Sequence, residues 1–353
     1  VSSPSVLADF VARIPKVELH VHLEGSIRPE TVLELAQRNG KTLPATTVEG
    51  LQSWYQFRDF THFVEVYVTV SQCIQSAEDL ELVVREFAEG QAAQNVVYSE
   101  VTYTATTIAK YAGIPWPQQR EALHRGREYA QSLGIDIRFI LDIVRDDQDV
   151  AIANEVLDWV RDGQTDGLVA ALGIAGSETA GTAVYGPIFD AAEAEDIPVA
   201  AHAGETAGAE SIRETLAVTH ARRIGHGVRA VEDAQLIVTL RNEGIPLEIC
   251  PTSNVCLGVF PDLESHSLGR LLDEGVVVTI NSDDPPMMGT TLTDEWRRVM
   301  ETFELSEDMA YSLTMNAVNA AFLELDQKAG LRDRIRTQWP KADDEAESDD
   351  EQN

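Results

Sequence analysis

Four short stretches carry the side chains that could do chemistry together in this chain: His20-Val21-His22, His202-Ala203-Gly204-Glu205, Gly225-His226-Gly227 and Ser282-Asp283-Asp284. In a β-strand, positions two apart share a face, so His20 and His22 can point to the same side. A single His-x-His is a weak signal, but four polar clusters that each close a β-rich run are a strong one. Three neutral imidazoles and one carboxylate form a nitrogen and oxygen shell for zinc or another divalent ion, and His20, His22, His202 and Asp283 are the expected ligands. At an open position such an ion lowers the pKa of a water enough to supply hydroxide near neutrality. Glu205 falls just past the third ligand, where it can act as general acid and base, passing a proton to a ring nitrogen while staying off the metal. His226 lies between two glycines that allow close approach. It either holds the attacking hydroxide, or serves as a fifth ligand or a buried structural histidine. Asp284 directly follows a ligand and is expected to face the substrate. His62, His124, His220 and His266 end no β-rich run and read as surface or packing residues.

Something must bring these distant stretches to one place. Eight β-rich runs recur along the chain: Lys16 to Leu23, Val96 to Val101, Ile137 to Ile143, Leu168 to Ile174, Ile197 to Ala203, Arg223 to Gly227, Pro246 to Cys250 and Val276 to Asn281. Segments of helical periodicity separate them, such as Ala77 to Gln94 and Trp116 to Leu133, and that alternation marks parallel βαβ units. The expected fold is therefore α/β, a single (β/α)₈ TIM barrel over residues 1–340, with extra helices from Asp294 onward. In such a barrel the active site lies at the C-terminal ends of the strands, where the polar clusters fall. A long insertion, Lys41 to Leu80, carries Trp54, Tyr55, Phe57, Phe60, Phe63 and Tyr67, which either roof a pocket at the barrel mouth or pack an extra helix.

Composition narrows the partners. A formal net charge of −32 repels phosphate backbones and anionic lipid, which excludes nucleic acid and membrane surfaces. Seven acids fall in the last eleven residues, and 341–353 reads as an acidic disordered tail. The remaining acidic excess fits a highly soluble cytoplasmic protein or one adapted to high salt. Cys73, Cys250 and Cys256 form no CxxC pair, so neither a disulfide framework nor a thiolate metal site is expected, and all three read as buried small hydrophobes. The opening residues lack a basic, then apolar, leader, and no apolar run is long enough for a membrane helix, so the cytoplasm is the expected compartment. Oligomeric state has no signature in the pattern.

The spaced segments PKVELHVHLEGSIRPET from Pro15, LGIAGSE from Leu172, HAGE from His202, RIGHG from Arg223, LEICPTSN from Leu247 and TINSDDPP from Thr279 resemble the adenosine deaminase family, from Pro15 to about Phe322. The resemblance implies hydrolytic removal of the 6-amino group of an adenine-containing nucleoside. It implies one Zn²⁺ per chain on His20, His22, His202 and Asp283, with Glu205 protonating purine N1, His226 orienting the hydroxide and Asp284 meeting N7. It also adds the Gly176 backbone amide at N3. Where the adenosine-specific members have Leu-Asp-Gly after His-x-His, this chain has Leu23-Glu24-Gly25, which places a longer Glu24 at the substrate's 5′ end and turns expectation away from plain adenosine. Ser177 is a second departure, at a position where Asp is common. Phe57 to Tyr67 and Ser282 to Met287 look like relatives that deaminate 6-amino-6-deoxyfutalosine in menaquinone synthesis. Adenosine and aminodeoxyfutalosine are the two expected substrates, and adenine is the alternative. Two readings of other classes compete. A binuclear amidohydrolase commonly needs a bridging lysine near the end of the fourth strand, and Gly173 to Glu178 has none. A non-catalytic zinc-binding protein would not need Glu205 and Asp284.

Overall fold

The computed structural model describes residues 4–340, so the expected acidic tail, 341–353, lies outside the described residues. Eight strands form one parallel sheet in chain order: β1 (Lys16–His22), β2 (Val96–Tyr103), β3 (Asp136–Val144), β4 (Val169–Ala175), β5 (Val199–Ala203), β6 (Arg223–His226), β7 (Leu247–Ile249) and β8 (Val278–Ile280). Each matches one expected run to within three residues at either end. Strands covered on both faces must be apolar throughout, which is why sequences such as Val169–Ala175 read as continuous hydrophobic runs.

Helices form the outer layer, and their starts follow local chemistry. Ser76, Asp149, Asp233 and Ser306 each accept a backbone N–H of the first helical turn through the side chain. Their inner faces pack on the strands in one continuous apolar core that includes Leu80, Val84, Leu157, Ile188 and Leu240. Helix Pro4–Arg13 and the short helices Ala105–Ala112 and Pro251–Cys256 were not expected. Among the described residues, no helix is long and apolar enough to cross a membrane. Cys73 and Cys250 are buried as expected, whereas Cys256 is exposed.

Closure of the barrel needs β8 to meet β1, and β8 is only three residues long. A single parallel bridge, Val21 to Asp283, joins them. The His22 amide donates to the Asp283 carbonyl at 2.9 Å, and the Asp283 amide donates to the His20 carbonyl at 3.2 Å. Below this bridge the Asn281 side chain substitutes for a missing ladder, its Oδ1 accepting from the amides of Leu19 at 2.9 Å and His20 at 3.2 Å.

Lys16 begins β1 with no exposed surface, its Nζ donating to the Ile14 and Gln94 carbonyls at 3.1 and 2.9 Å. Burial pulls its pKa from 10.5 down to about 7. Below pH 7 the folded chain carries the full cost of that buried charge; between pH 7 and 10.5 the unfolded chain binds the extra proton, so folding gains stability as pH rises. We expect the stability of the wild type, measured relative to Lys16→Met by urea unfolding, to increase from pH 7 to 10. A flat difference would show that Lys16 titrates normally.

Candidate active site

Strand ends deliver the expected side chains to one end of the barrel. His20 and His22 leave β1 on the same side, with ring centroids 5.4 Å apart, and His202 ends β5 beside them. The Nε2 atoms of His22 and His202 are 3.2 Å apart. Asp283 Oδ1 lies 3.4 Å from His20 Nε2 and 3.3 Å from His22 Nε2. His226 Nε2 is 3.8 Å from Asp283 Oδ2 and 3.8 Å from Glu205 Oε2. His20, His202, His226 and Asp283 each offer one atom within 4.8 Å of the others, and His22 joins that group through His202 and Asp283. Both His226 (φ +60°) and Asp283 (φ +64°) adopt the left-handed conformation, which side-chain-bearing residues seldom hold without reason.

Two rings have their outer nitrogen anchored so that the inner one faces the cluster. His20 Nδ1 is 2.8 Å from Glu248 Oε2, and His202 Nδ1 is 3.2 Å from the Ile174 carbonyl. Because carboxylate and carbonyl oxygens only accept, each Nδ1 carries the hydrogen and leaves Nε2 as a lone pair, the form a metal binds. His20 Nε2 is buried with no hydrogen-bond partner among the described residues. Glu248 is itself held by Arg223, which also reaches Glu100 at 2.6 Å and lies over the Phe322 ring at 3.7 Å.

The residues fit a divalent cation. Against burial, the neighbouring Asp283 and Glu248 carboxylates push His20 up to about 10, and the contacts with His20 and His22 hold Asp283 well below the usual carboxylate range despite burial. Such a cluster demands positive charge. Nitrogen lone pairs with one hard oxygen suit zinc among the divalent ions, although the donor set does not single it out.

Glu205 is 6% exposed, and its Oε1 is buried without a partner. Burial, then the Asp283 and Glu178 carboxylates, hold it well above the ordinary carboxylate range, the direction a general acid needs. Its loop is pinned by Glu178, whose carboxylate accepts from the amides of Gly204, Glu205, Thr206 and Ala207 at 2.7 to 3.1 Å. Glu178 stays charged because those hydrogen bonds outweigh its burial. Asp284 is also pushed well up, by burial and by the adjacent Asp283, and its Oδ1 is unpartnered.

These groups line a cavity of about 250 Å³, with Gly176 on its wall. Gly176 has φ +100°, and a Cβ there would lie 2.1 Å from Asp146 Oδ2, so only glycine fits. Phe60, Phe63 and Tyr67 from helix Phe60–Ser71 line the opposite side, so this part of the aromatic insertion does roof the pocket. Asp142, at the end of β3, adds a buried carboxylate whose Oδ1 has no partner. A larger open cleft of 590 Å³ at the other end of the strands gathers none of these residues.

One expected site residue is placed differently. Glu24 has no exposed surface; its Oε2 accepts from the Tyr67 hydroxyl at 3.0 Å and its Oε1 from the Thr104 amide at 3.0 Å. Tyr67 and Thr104, rather than Glu24, line the cavity. Sequence reading also missed Glu248, Glu178, Asn254 and His266. Of the histidines read as surface or packing, His266 alone is buried.

Donor rings and a buried acid at the C-terminal mouth of a parallel barrel define a hydrolase of the metal-dependent barrel class. Within it, the chain belongs to the adenosine deaminase family, whose sequence profile, described as "Adenosine deaminase", matches residues 15–338. An aminodeoxyfutalosine deaminase of Streptomyces coelicolor is 37% identical over 95% of this chain and 87% of its own. The crystal structure of an adenine deaminase from Arthrobacter aurescens superposes with a TM-score of 0.84 at 30% identity, covering 92% of this chain and 98% of its own. An amidohydrolase from Burkhoderia ambifaria, solved with bound Zn, gives 0.86 at 25% identity over 96% and 93%.

A close contact tests the ligand set. A Cβ on Gly225 would lie 2.7 Å from His20 Cε1, so the glycine makes room for that ring. We expect His20→Ala, and more weakly Gly225→Ala, to lower the bound metal per chain measured by atomic emission. A full complement in His20→Ala would remove that ring from the shell.

Proposed function

We propose that the chain catalyses zinc-dependent hydrolytic deamination of the 6-amino group of an adenine nucleoside, releasing ammonia. The observation that carries this reading is Glu205, a buried carboxyl with an unpartnered oxygen on the cavity wall beside the imidazoles. Zinc is favoured by the nitrogen-rich donor set and by the zinc in the similar Burkhoderia ambifaria amidohydrolase. Held by His20, His22, His202 and Asp283, the ion would supply hydroxide from water near neutral pH.

Protonated Glu205 donates to N1 of the purine, which breaks the ring's aromaticity and makes C6 electrophilic. As oxygen adds at C6, His226 Nε2 holds it in place. The Glu205 carboxylate then takes the proton of the hydroxyl added at C6 and passes it to the departing amine, so that the C6 oxygen becomes a carbonyl and ammonia leaves; the next water, on giving up a proton, restores Glu205, and the sum is water and aminopurine to oxopurine and ammonia. Asp284, pushed up by burial and by Asp283, donates to N7. The Gly176 amide donates to N3.

The space beyond the purine favours a nucleoside with a bulky apolar 5′ group. Phe60, Phe63, Val64 and Leu257 supply an apolar wall, and Asp142 Oδ1 supplies an acceptor for a sugar hydroxyl. Aminodeoxyfutalosine, with its aromatic 5′ extension, is the substrate we favour over adenosine, in line with the Streptomyces coelicolor relative. The second reading is adenine itself, favoured by the Arthrobacter aurescens structure. The proposed compartment is the cytoplasm, in keeping with three free thiols.

Ammonia release from adenine, adenosine, 5′-methylthioadenosine and aminodeoxyfutalosine decides between them. We expect kcat/KM to be highest for aminodeoxyfutalosine; a clear preference for adenine would overturn the nucleoside assignment. Glu205→Gln is expected to keep its metal and lose about 10³-fold in kcat. Undiminished turnover would mean that another group protonates the ring. Asp142→Ala should lower kcat/KM for nucleosides about tenfold while leaving that for adenine unchanged.

A further inference from the structure

His226 occupies the same few ångströms as the expected ligands, and distance alone would admit it to the metal shell. Its hydrogen-bond partners separate it from them. The chain of contacts begins at a group with one possible role: the backbone N–H of Leu268 donates to His266 Nδ1 at 3.0 Å. A nitrogen that accepts carries no hydrogen, so the neutral His266 ring bears its hydrogen on Nε2. That Nε2 lies 3.1 Å from Asn254 Oδ1, which accepts. The Asn254 amide is thereby oriented, and its Nδ2 faces His226 Nδ1 at 3.2 Å. Since Nδ2 only donates, His226 Nδ1 accepts, and the hydrogen of this ring is on Nε2, pointing at Asp283 and Glu205.

Reversing the amide would set N–H against N–H at His266, and reversing His266 would do the same at Leu268. The direction is therefore imposed from the far end. Asn254 has no exposed surface and His266 is 4% exposed, so water cannot readily replace either link. Burial also pulls His266 down to about 4, which keeps it neutral across the physiological range, and the Phe260 ring lies against it with centroids 4.5 Å apart. His20 and His202, anchored by oxygen acceptors, present lone pairs inward; His226, anchored by a donor, presents a hydrogen.

We propose that Asn254 and His266 are positioning residues that fix His226 as an Nε2–H donor, excluding it from the metal shell and committing it to hold the attacking oxygen. The last step rests on the deaminase reading; the tautomer does not.

The test is long-range ¹H–¹⁵N spectroscopy of ¹⁵N-histidine-labelled full-length protein without substrate, with ring signals assigned by loss in His226→Asn and His266→Gln. In the wild type, both His226 and His266 are expected to show the Nε2–H tautomer; a hydrogen on Nδ1 of either would overturn the proposal. Asn254→Asp offers only acceptors, so His226 Nδ1 should gain a hydrogen, with kcat falling about 100-fold and KM and metal content little changed. An unaltered His226 signal in Asn254→Asp would also overturn it. His266→Gln, which can still donate to Asn254, should keep the wild-type His226 signature, whereas His266→Ala should lose it. Because the spectra need no turnover, a wrong substrate assignment would leave them unchanged and appear only in the activity panel.

Discussion

Imidazole nitrogens that carry lone pairs repel one another, and inside a barrel there is little water to separate them. Yet the Nε2 atoms of His22 and His202 stand 3.2 Å apart, with His20 and Asp283 completing the crowd. An arrangement of this kind suits a cation at its centre, and the surrounding structure holds the rings to it. Glu248 and the Ile174 carbonyl turn two of them inward, Gly225 clears space for one, and the bridge between β1 and β8 sets the carboxylate among them. Burial first, and then the Asp283 carboxylate that would attract a cation, raise Glu205 and Asp284 towards the protonated form.

Each histidine's task follows from the atom behind it rather than from its distance to its neighbours. For His20 and His202 an oxygen behind the ring leaves a lone pair facing inward, as a ligand needs, whereas the amide N–H₂ behind His226 leaves a hydrogen there. Glu178 plays a comparable part for Glu205, the proposed general acid: four backbone amides converge on its carboxylate, which fixes the loop and keeps a negative charge near Glu205. Supports of this kind matter because a proton transfer geometry loosened by even an ångström is far less effective.

Much of this was legible in the chain itself. The eight β-rich runs and their order announced the barrel, because parallel strands are covered on both faces and must be apolar throughout. His20 and His22 were legible because the period of a strand is two, and Glu205 because it follows His202 at the strand's end. The supports were not. Glu248 meets His20 across 228 residues and His266 meets Asn254 on a loop of irregular backbone, so no local periodicity pairs them. Glu24 illustrates the opposite error: its place in the motif was plain, but only the fold shows that its carboxyl serves Tyr67 and Thr104. The N-terminal helix Pro4–Arg13 went unread because it lies outside the strand and helix alternation that guided the reading.

The seam of the barrel has a consequence for the history of each molecule. His20 and His22 are translated early and Asp283 late, and the bridge that joins their strands is a single residue pair backed by the Asn281 side chain on the Leu19 and His20 amides and by Ser282 on the Glu18 carboxylate. The site is therefore incomplete on the ribosome until almost the whole barrel has emerged, and nascent chains cannot sequester metal in its mature geometry. An ion held by the proposed ligands His20, His22 and Asp283 would act as a rivet between the first and last strands. Its loss would be felt first at the seam between β1 and β8, before any disturbance reached the strands on the far side.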